Sequence, residues 1–110
     1  MQAHVYHLTA KTPEARRDLY FALTSTYEEI WAGKNDKAAY VKVAVVDGDL
    51  DEAFELTNTI HQPWWKNAKV TPLLVNTRST SVGDVIVLDG KPWICDAVGW
   101  VEIDVAHVHA

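Results

Sequence analysis

The 110-residue sequence is typical of the α+β fold class, and it predicts two helices packed on a mainly antiparallel sheet that ends in a three-stranded C-terminal meander. Three kinds of observation support this prediction: apolar runs that alternate with a period of two, capping signals ahead of apolar residues at helical spacing, and a tight-turn dipeptide between two C-terminal runs. No internal repeat, low-complexity tract or linker divides the sequence, so residues 1–110 are predicted to form a single α+β domain.

The N-terminal third predicts a strand followed by a helix. Residues 4–9 alternate between two faces, as a short strand does. Thr12 is a suitable cap, Pro13 suits the first helical position, and the charge of Glu14 favours the positive end of the helix dipole. Gly33 then provides a stop signal. The apolar residues that recur at helical spacing between these signals are Ala15, Leu19, Ala22, Leu23, Tyr27 and Ile30.

The middle of the chain predicts a central strand and a second, shorter helix. Residues 40–46 form a β-branched run that suits a strand with neighbours on both sides. Asp49 stands three residues before Glu52, which is the spacing of a capping box with Asp in the Ser/Thr position. The helix is expected to fray near Asn58. Its inward side is expected to consist of Leu50, Ala53, Phe54 and Thr57.

The remaining residues predict an irregular segment and then further strands. Residues 61–69 have no clear period, whereas Val70 to Val75 is a plausible strand in which Pro72 indicates an edge or a strand start. Residues 85–88 and 91–97 flank Asp89-Gly90, the strongest two-residue hairpin signal. A last strand over 100–105 completes the meander. Its residues Val101, Ile103 and Val105 are expected to point inward, and Glu102 and Asp104 outward.

Composition and charge favour some locations and exclude some partners. No apolar run approaches the ~20 residues that a membrane span needs, and the N-terminus lacks the layout of a signal peptide. Because one Cys cannot form an internal disulfide, a reducing cytoplasm is the expected location. The formal charge of −5 makes duplex DNA an unfavourable partner for the chain alone.

The C-terminal third carries a recognisable motif, Ser-x-Ser-Val-Gly-Asp-Val-Ile, followed by a hairpin, an Asp and a Gly-aromatic pair. This stretch, Arg78 to Ile103, resembles the YodL-like domain, although Trp100 stands where that family usually has Phe. The matching positions are Ser79, Ser81, Val82, Gly83, Asp84, Val85, Ile86, Asp96, Gly99 and Trp100. The resemblance implies an accessory protein of a phage, plasmid or conjugative element, and it implies no enzymatic activity.

The physical interpretation of this motif is a structural turn. Ser79, Ser81 and Asp84 can bond nearby backbone amides and hold a turn that leads into the strand at Val85, while Gly83 supplies a conformation that other residues avoid. A ligand contact at the same residues is the weaker alternative.

Catalytic and metal-binding patterns are weak in this sequence. Asp47, Asp49 and Asp51 superficially resemble a calcium loop, but the required Gly and Glu positions hold other residues. His107 and His109 lack the additional ligands that a zinc site needs. Cys95 lies mid-strand beside Asp96, which favours a buried core thiol over a nucleophile. We therefore predict no catalytic residue, no metal site and no cofactor.

One asymmetry points to a contact surface. Between Glu55 and Asp84 there is no acidic residue, whereas three basic residues give this interval a charge of +3. Trp64-Trp65 lies within it, on a predicted loop, and Trp is enriched at binding hot spots. The predicted partner-binding residues of the 61–78 loop are Trp64, Trp65, Lys66, Lys69 and Arg78.

Four functions remain open at this point. The first is a non-enzymatic interaction protein that binds a protein partner through the 61–78 loop. The second is a single-stranded nucleic-acid accessory factor that uses Trp stacking and Lys/Arg phosphate contacts. A small-molecule pocket and acidic mimicry of DNA by the N-terminal half are minor alternatives. One of the two Trp residues, or both, could instead be structural and fold inward to cap the core.

Overall fold

The structure, a computed structural model, describes residues 1–10, 12–14, 17, 27–33, 38–59, 62–96 and 99–103. In chain order these residues form β1 (Gln2–Ala10), α1 (Tyr27–Trp31), β2 (Ala38–Asp47), α2 (Leu50–Thr57), a 3-10 turn (Trp64–Lys66), β3 (Val70–Pro72), β4 (Val85–Leu88), β5 (Lys91–Asp96) and β6 (Gly99–Glu102).

The strands form one antiparallel sheet. Its order is β3-β2-β1-β4-β5-β6, with every neighbouring pair antiparallel. The first two strands pair over their whole length, with one irregularity in register between Val5 and Tyr6. Because β4, β5 and β6 follow one another both along the chain and across the sheet, the predicted C-terminal meander and the α+β fold class are confirmed.

Each face of the sheet has its own buried cluster. Ala53 of α2 and Trp64 of the 3-10 turn pack on one face. Ile30 and Trp31 of α1 pack on the other, where Trp31 makes edge-on contacts with Tyr6 and Tyr40. The sheet residues of the first face are Ala3, Val5, Val43, Ala44, Val46, Val70 and Ile86, and those of the second are Tyr6, Ala38, Tyr40, Val85, Val87 and Ile94. The molecule therefore has helical residues on both sides of the sheet.

The local signals for α2 and for the β4–β5 hairpin were predicted correctly. The Asp49 side chain accepts a hydrogen bond of 2.9 Å from the Glu52 N–H, as an N-cap should. Asp89 and Gly90 both have positive φ angles, 52° and 76°, which the tight turn between two twisted strands requires. These elements depend on contacts between residues close in sequence, so the sequence alone could specify them.

Three expectations are changed or lie outside the described residues. The predicted strand Val70 to Val75 ends at Pro72. Val101 was expected to point inward but is 48% exposed, because β6 is the outermost strand and has a neighbour on one side only. Most of the predicted first helix lies outside the described residues, as do Asp104, Val105, His107 and His109, although Pro13 and Glu14 are helical.

No helix in the described ranges is long and apolar enough to cross a bilayer.

Candidate protein-contact surface

Trp64 is a core residue that organises the loop around it. Its side chain is 2% exposed, and its indole N–H donates to the carbonyl oxygens of Thr77 at 2.9 Å and Arg78 at 3.1 Å. The expectation that Trp64 contacts a partner is thus corrected, because the apolar ring is buried and its polar atom is satisfied internally. The alternative interpretation, that one of the two Trp residues folds inward to cap the core, describes Trp64.

Trp65 and Lys66 follow Trp64 in the same 3-10 turn, and Trp65 packs against the buried cluster that contains Trp64. Trp65 is half-buried, with its ring edge-on to Trp64 at a centroid distance of 5.7 Å, and Lys66 is exposed. Successive side chains of a 3-10 turn are separated by about 120° rather than the 180° of a strand. One Trp can therefore be buried while the next stays partly accessible.

Lys69 is an exposed residue with a partner of its own. Its ammonium group lies 3.3 Å from the Glu52 carboxylate of α2. An exposed pair of this kind contributes little to stability. Lys69 is consequently less available for a partner than its exposure alone suggests.

An apolar segment directly after β3 was missed by the sequence prediction. Leu73, Leu74 and Val75 are 52%, 43% and 53% exposed, and they follow one another in the chain. The amides of Leu73 and Leu74 both donate to the Val43 carbonyl, which fixes this segment beside β2. The available signal was Pro72, which has no N–H and so favours the end of a strand over its continuation through three large aliphatic residues.

These observations define the contact surface as Trp65, Lys66, Leu73, Leu74 and Val75. Trp64 connects its two parts, because its ring packs against Trp65 and its N–H bonds to the backbone just after Val75. A run of consecutive exposed aliphatic side chains is unusual on a small domain and is typical of interaction sites.

Arg78 is exposed, and its guanidinium is paired within the molecule. Its guanidinium forms two bonds of 2.7 Å to the carboxylate of Asp84, which is fully buried. The Asp84 carboxylate raises the pKa of Arg78, chiefly through these hydrogen bonds. The role of Arg78 in partner binding stays a prediction, because its side chain is 45% exposed although its charge is already paired with Asp84.

The same two side chains bond to the backbone of β1. Arg78 donates to the Leu8 carbonyl at 2.9 Å, and Asp84 accepts from the Leu8 N–H at 2.8 Å. Asp84 also accepts from the Ser81 N–H at 2.8 Å. We refer to this arrangement of Arg78, Asp84 and Leu8 as the Arg78–Asp84 clamp.

The other residues of the Ser-x-Ser-Val-Gly-Asp motif lie in the turn that the clamp closes. Ser81 accepts a bond from Arg78 through its hydroxyl, and the hydroxyl of Tyr40 donates to the Gly83 carbonyl. Gly83 has a φ of 94°, a conformation that favours glycine. Ser79 contributes its carbonyl, which also accepts from Arg78. These contacts are those of a structural turn.

The motif residues nearer the C-terminus lie at the other end of the sheet. Asp96 and Gly99 are paired at the β5–β6 connection. Trp100 packs edge-on against Phe54, and its N–H points to the Asp51 carboxylate at 3.3 Å. The structure therefore does not bring these positions to the contact surface around Trp64.

His7 is a buried polar residue that the sequence analysis did not identify, as is Thr80. It is 1% exposed, its Nε2 lies 2.8 Å from the Thr80 hydroxyl, and its Nδ1 has no hydrogen-bond partner within the described part of the chain. The pKa of His7 is lowered to about 4, chiefly because the ring is buried. The charge of Asp84 raises this pKa, and the charge of Arg78 lowers it further. Alternation along β1 fixes the face on which His7 lies, but nothing local indicated that Thr80 and Trp64 would contact it.

The remaining candidates for chemistry have surroundings that do not favour reaction. Cys95 is buried at β5, as its position predicted, and burial raises the pKa of its thiol, with Asp84 and Asp96 adding to the effect. A raised pKa keeps the sulfur in its less nucleophilic thiol form. Among the residues that the structure describes, no group of three or more His, Cys, Asp or Glu side chains is arranged to hold a metal ion.

Comparisons with known proteins do not assign this chain to a family. A scan of family models found no match, and neither a search of the curated proteins nor a search of the solved structures found one. The YodL-like resemblance of residues 78–103 thus remains a prediction.

Proposed function

We propose that this chain is a non-enzymatic interaction protein that binds a protein partner through the contact surface. The observation that carries the proposal is the consecutive exposure of Leu73, Leu74 and Val75, a segment that two backbone hydrogen bonds hold beside β2. Exposed aliphatic side chains lose contact with water when a partner covers them, and this provides most of the driving force for association. The rigid attachment of this segment to Val43 limits the ordering that binding would require.

A photo-crosslinking experiment tests the proposal directly. A benzophenone amino acid replaces Leu74 in one variant and Val101 in a control, two aliphatic residues with 43% and 48% exposure. Val101 lies on β6, at the opposite end of the sheet from β3. On irradiation in the producing cells, the Leu74 variant is expected to give a discrete protein adduct that the Val101 variant lacks. Equal adducts in both variants, or none in the first, would contradict the proposal.

The nucleic-acid alternative has less support. Trp64 is buried, and the charges of Arg78 and Lys69 are paired with Asp84 and Glu52. Single-strand binding would leave Trp65 to stack on a base and Lys66 to contact phosphate. Such binding predicts salt-sensitive quenching of Trp fluorescence by a single-stranded oligothymidylate. If the fluorescence does not change at low salt, this alternative is eliminated.

The biological setting is proposed from the resemblance of residues 78–103 to the YodL-like domain. In this proposal the chain is a cytoplasmic accessory protein of a phage or mobile element, and its partner is encoded by the host or by the element. Genes of mobile-element replication or transfer are expected beside its own gene. A constant neighbourhood of housekeeping genes would argue against this setting.

A further inference from the structure

The two outer strands of the sheet differ in whether their free edges can accept another strand. In β3, the N–H of Val70 already donates to the Asn67 carbonyl at 3.1 Å, and Pro72 has no N–H. The N–H of Leu74, the next position on that side of the chain, donates back to the Val43 carbonyl. These three positions therefore offer no backbone donor, which is one way in which proteins prevent a further strand from pairing.

The free edge of β6 is open. The N–H of Ile103, directly after β6, donates to the Pro92 carbonyl of β5 at 2.9 Å. Because backbone groups in an antiparallel ladder point to alternate sides, those of Val101 also face β5, whereas those of Trp100 and Glu102 point to the free side. No strand or loop among the residues that the structure describes bonds to these outward groups. Two N–H and two C=O groups are thus available to an added strand.

Acidic side chains lie at this edge, on the face of the sheet that carries α2. The Trp100 indole N–H points to the Asp51 carboxylate at 3.3 Å, and its ring packs edge-on against Phe54. Glu102 is exposed and lies on the same face of β6 as Trp100, two residues further along. Glu55, also exposed, follows Asp51 by four residues on the same side of α2. Two carboxylates thus lie at the edge itself, with a third one helical turn away.

These charges favour one kind of occupant. A second copy of this chain would bring its own Asp51 and Glu102 to the same edge, and the whole chain has a formal charge of −5, so pairing with itself is unfavourable. A segment that carries Lys or Arg is attracted to the same carboxylates. Lys91, the basic residue of β5, lies one strand further in and does not line the edge.

We infer that the β6 edge binds an extended segment of another protein in which Lys or Arg alternates with apolar residues. The segment adds as a seventh strand and bonds to the backbone of Trp100 and Glu102. Its basic side chains lie on the α2 face beside Asp51 and Glu102. An apolar side chain lies on the other face against Val101, which is 48% exposed. This edge is at the opposite end of the sheet from β3 and the contact surface, so the inference goes beyond the proposed function.

A synthetic peptide tests the inference by nuclear magnetic resonance while the partner itself is unidentified. The probe is the capped heptapeptide Lys-Val-Lys-Val-Lys-Val-Lys, titrated into the isotope-labelled protein. It is expected to shift the amide resonances of Trp100 and Glu102 and to slow their hydrogen exchange, because these N–H groups gain an acceptor. The amides of Val101 and Ile103, which already face β5, should change less. The matched peptide Glu-Val-Glu-Val-Glu-Val-Glu should not bind.

Two substitutions at one position separate the backbone contribution from the charge. Glu102→Gln keeps the outward N–H and removes the carboxylate, so the affinity for the Lys peptide should fall about 2- to 5-fold, the range of an exposed ion pair. Glu102→Pro also removes the N–H, on the side that does not bond to β5, and should lower the affinity a further ~2- to 10-fold, the range of one hydrogen bond. Asp47→Asn removes an exposed carboxylate of β2 and should leave the affinity unchanged. Circular dichroism establishes that each variant is folded.

Three results would overturn the inference. Equal affinity for the Lys and Glu peptides would exclude selection by charge. No shift at all, or shifts confined to Leu73, Leu74 and Val75, would exclude the edge as the binding site. A dimer of the protein alone, detected by sedimentation and abolished by Glu102→Pro, would assign the edge to a second copy.

The failure of this inference and the failure of the proposed function are distinguishable. The peptide titration is measured at the amides of β6, whereas the Leu74 adduct is formed at the other end of the sheet. In the crosslinking experiment, an adduct of a different mass at Val101 belongs to the β6 edge and does not contradict the proposed function.

Discussion

The indole of Trp64 connects the 3-10 turn to the backbone at Thr77 and Arg78. It lies on the sheet face of α2, packs against Trp65 and His7, and donates its N–H to the backbone of Thr77 and Arg78. A Trp that is buried with its polar atom bonded provides both apolar contact and a fixed orientation. Trp64 therefore positions the contact surface without belonging to it.

Replacing this indole tests that positioning role. Trp64→Phe keeps an aromatic ring but removes the N–H donor and part of the buried volume. The free energy of unfolding should fall by about 1–3 kcal/mol, because two carbonyls lose a donor and the smaller ring leaves a gap. The half-buried Trp65 offers a matched control, and Trp65→Phe should cost less than about 1 kcal/mol. Urea unfolding followed by circular dichroism measures both values, and equal costs would show that Trp64 has no special role.

The sequence could not say which of the two Trp residues is buried. Adjacent side chains on extended backbone point in opposite directions, and that argument left both orientations open. The answer depended on the 3-10 turn at residues 64–66 and on carbonyls more than ten residues later in the chain. Neither is encoded by the local apolar pattern.

At the scale of elements, local signals were predictable and strand lengths were not. The cap at Asp49 and the turn at Asp89-Gly90 are short-range features, and both were predicted from a few residues. The end of β3 is different. Pro72 lacks an N–H, and the next two amides share the Val43 carbonyl, so the ladder stops and Leu73 to Val75 become exposed. The residues of the contact surface were thus visible in the sequence, but their exposure was not.

The Arg78–Asp84 clamp provides hydrogen-bond partners for β1 beyond the point where the pairing of β1 with β4 ends. β4 pairs with β1 only as far as Val85 and Tyr6, so Leu8 lies beyond the last pair. The Arg78 and Asp84 side chains bond to the carbonyl and N–H of Leu8 in place of a strand backbone. A buried backbone group without a partner would be costly, which explains why a charged pair is retained here.

The substitution Asp84→Asn should show how much the clamp contributes to the free energy of unfolding. The amide cannot accept both guanidinium bonds as well as the amides of Leu8 and Ser81, so buried donors lose their acceptors. We expect a loss of about 3–5 kcal/mol in the free energy of unfolding and faster hydrogen exchange at the Leu8 amide. The exposed Lys69–Glu52 pair provides the control, since Glu52→Gln should cost less than about 1 kcal/mol. Unchanged exchange at Leu8 in Asp84→Asn would contradict the assigned role.

At the scale of the whole molecule, the fold class was predictable because nearly every element carries its own signal. The radius of gyration is 13.3 Å, close to the roughly 13 Å expected for a chain of this length. The contacts that join β1 to Arg78 and Thr80 were not predictable. His7 meets Thr80 across 73 residues, and Arg78 meets Leu8 across 70. No local sequence pattern predicts such pairings. They determine which side chains stay accessible to a partner.

One of these long-range contacts makes the stability of the fold depend on pH. His7 is buried in its neutral form, with Asp84 at 3.9 Å, Arg78 beside that carboxylate and Trp64 against the ring. Its pKa is lowered from 6.5 to about 4, so the unfolded chain binds a proton more readily than the folded one. The stabilisation is complete above pH 6.5 and is lost as the pH falls toward 4. The loss amounts to at most about 3 kcal/mol.

His7→Gln separates this effect from the titration of the carboxylates. Gln can still bond to the Thr80 hydroxyl but gains no proton at any pH in the window. The variant should be less stable than the wild type at pH 7, and the difference should shrink as the pH is lowered to 4, because only the wild type then loses the His7 contribution. Urea midpoints at several pH values measure the difference. A gap that stays constant from pH 7 to pH 4 would mean that His7 takes up its proton equally well in the folded and unfolded chain.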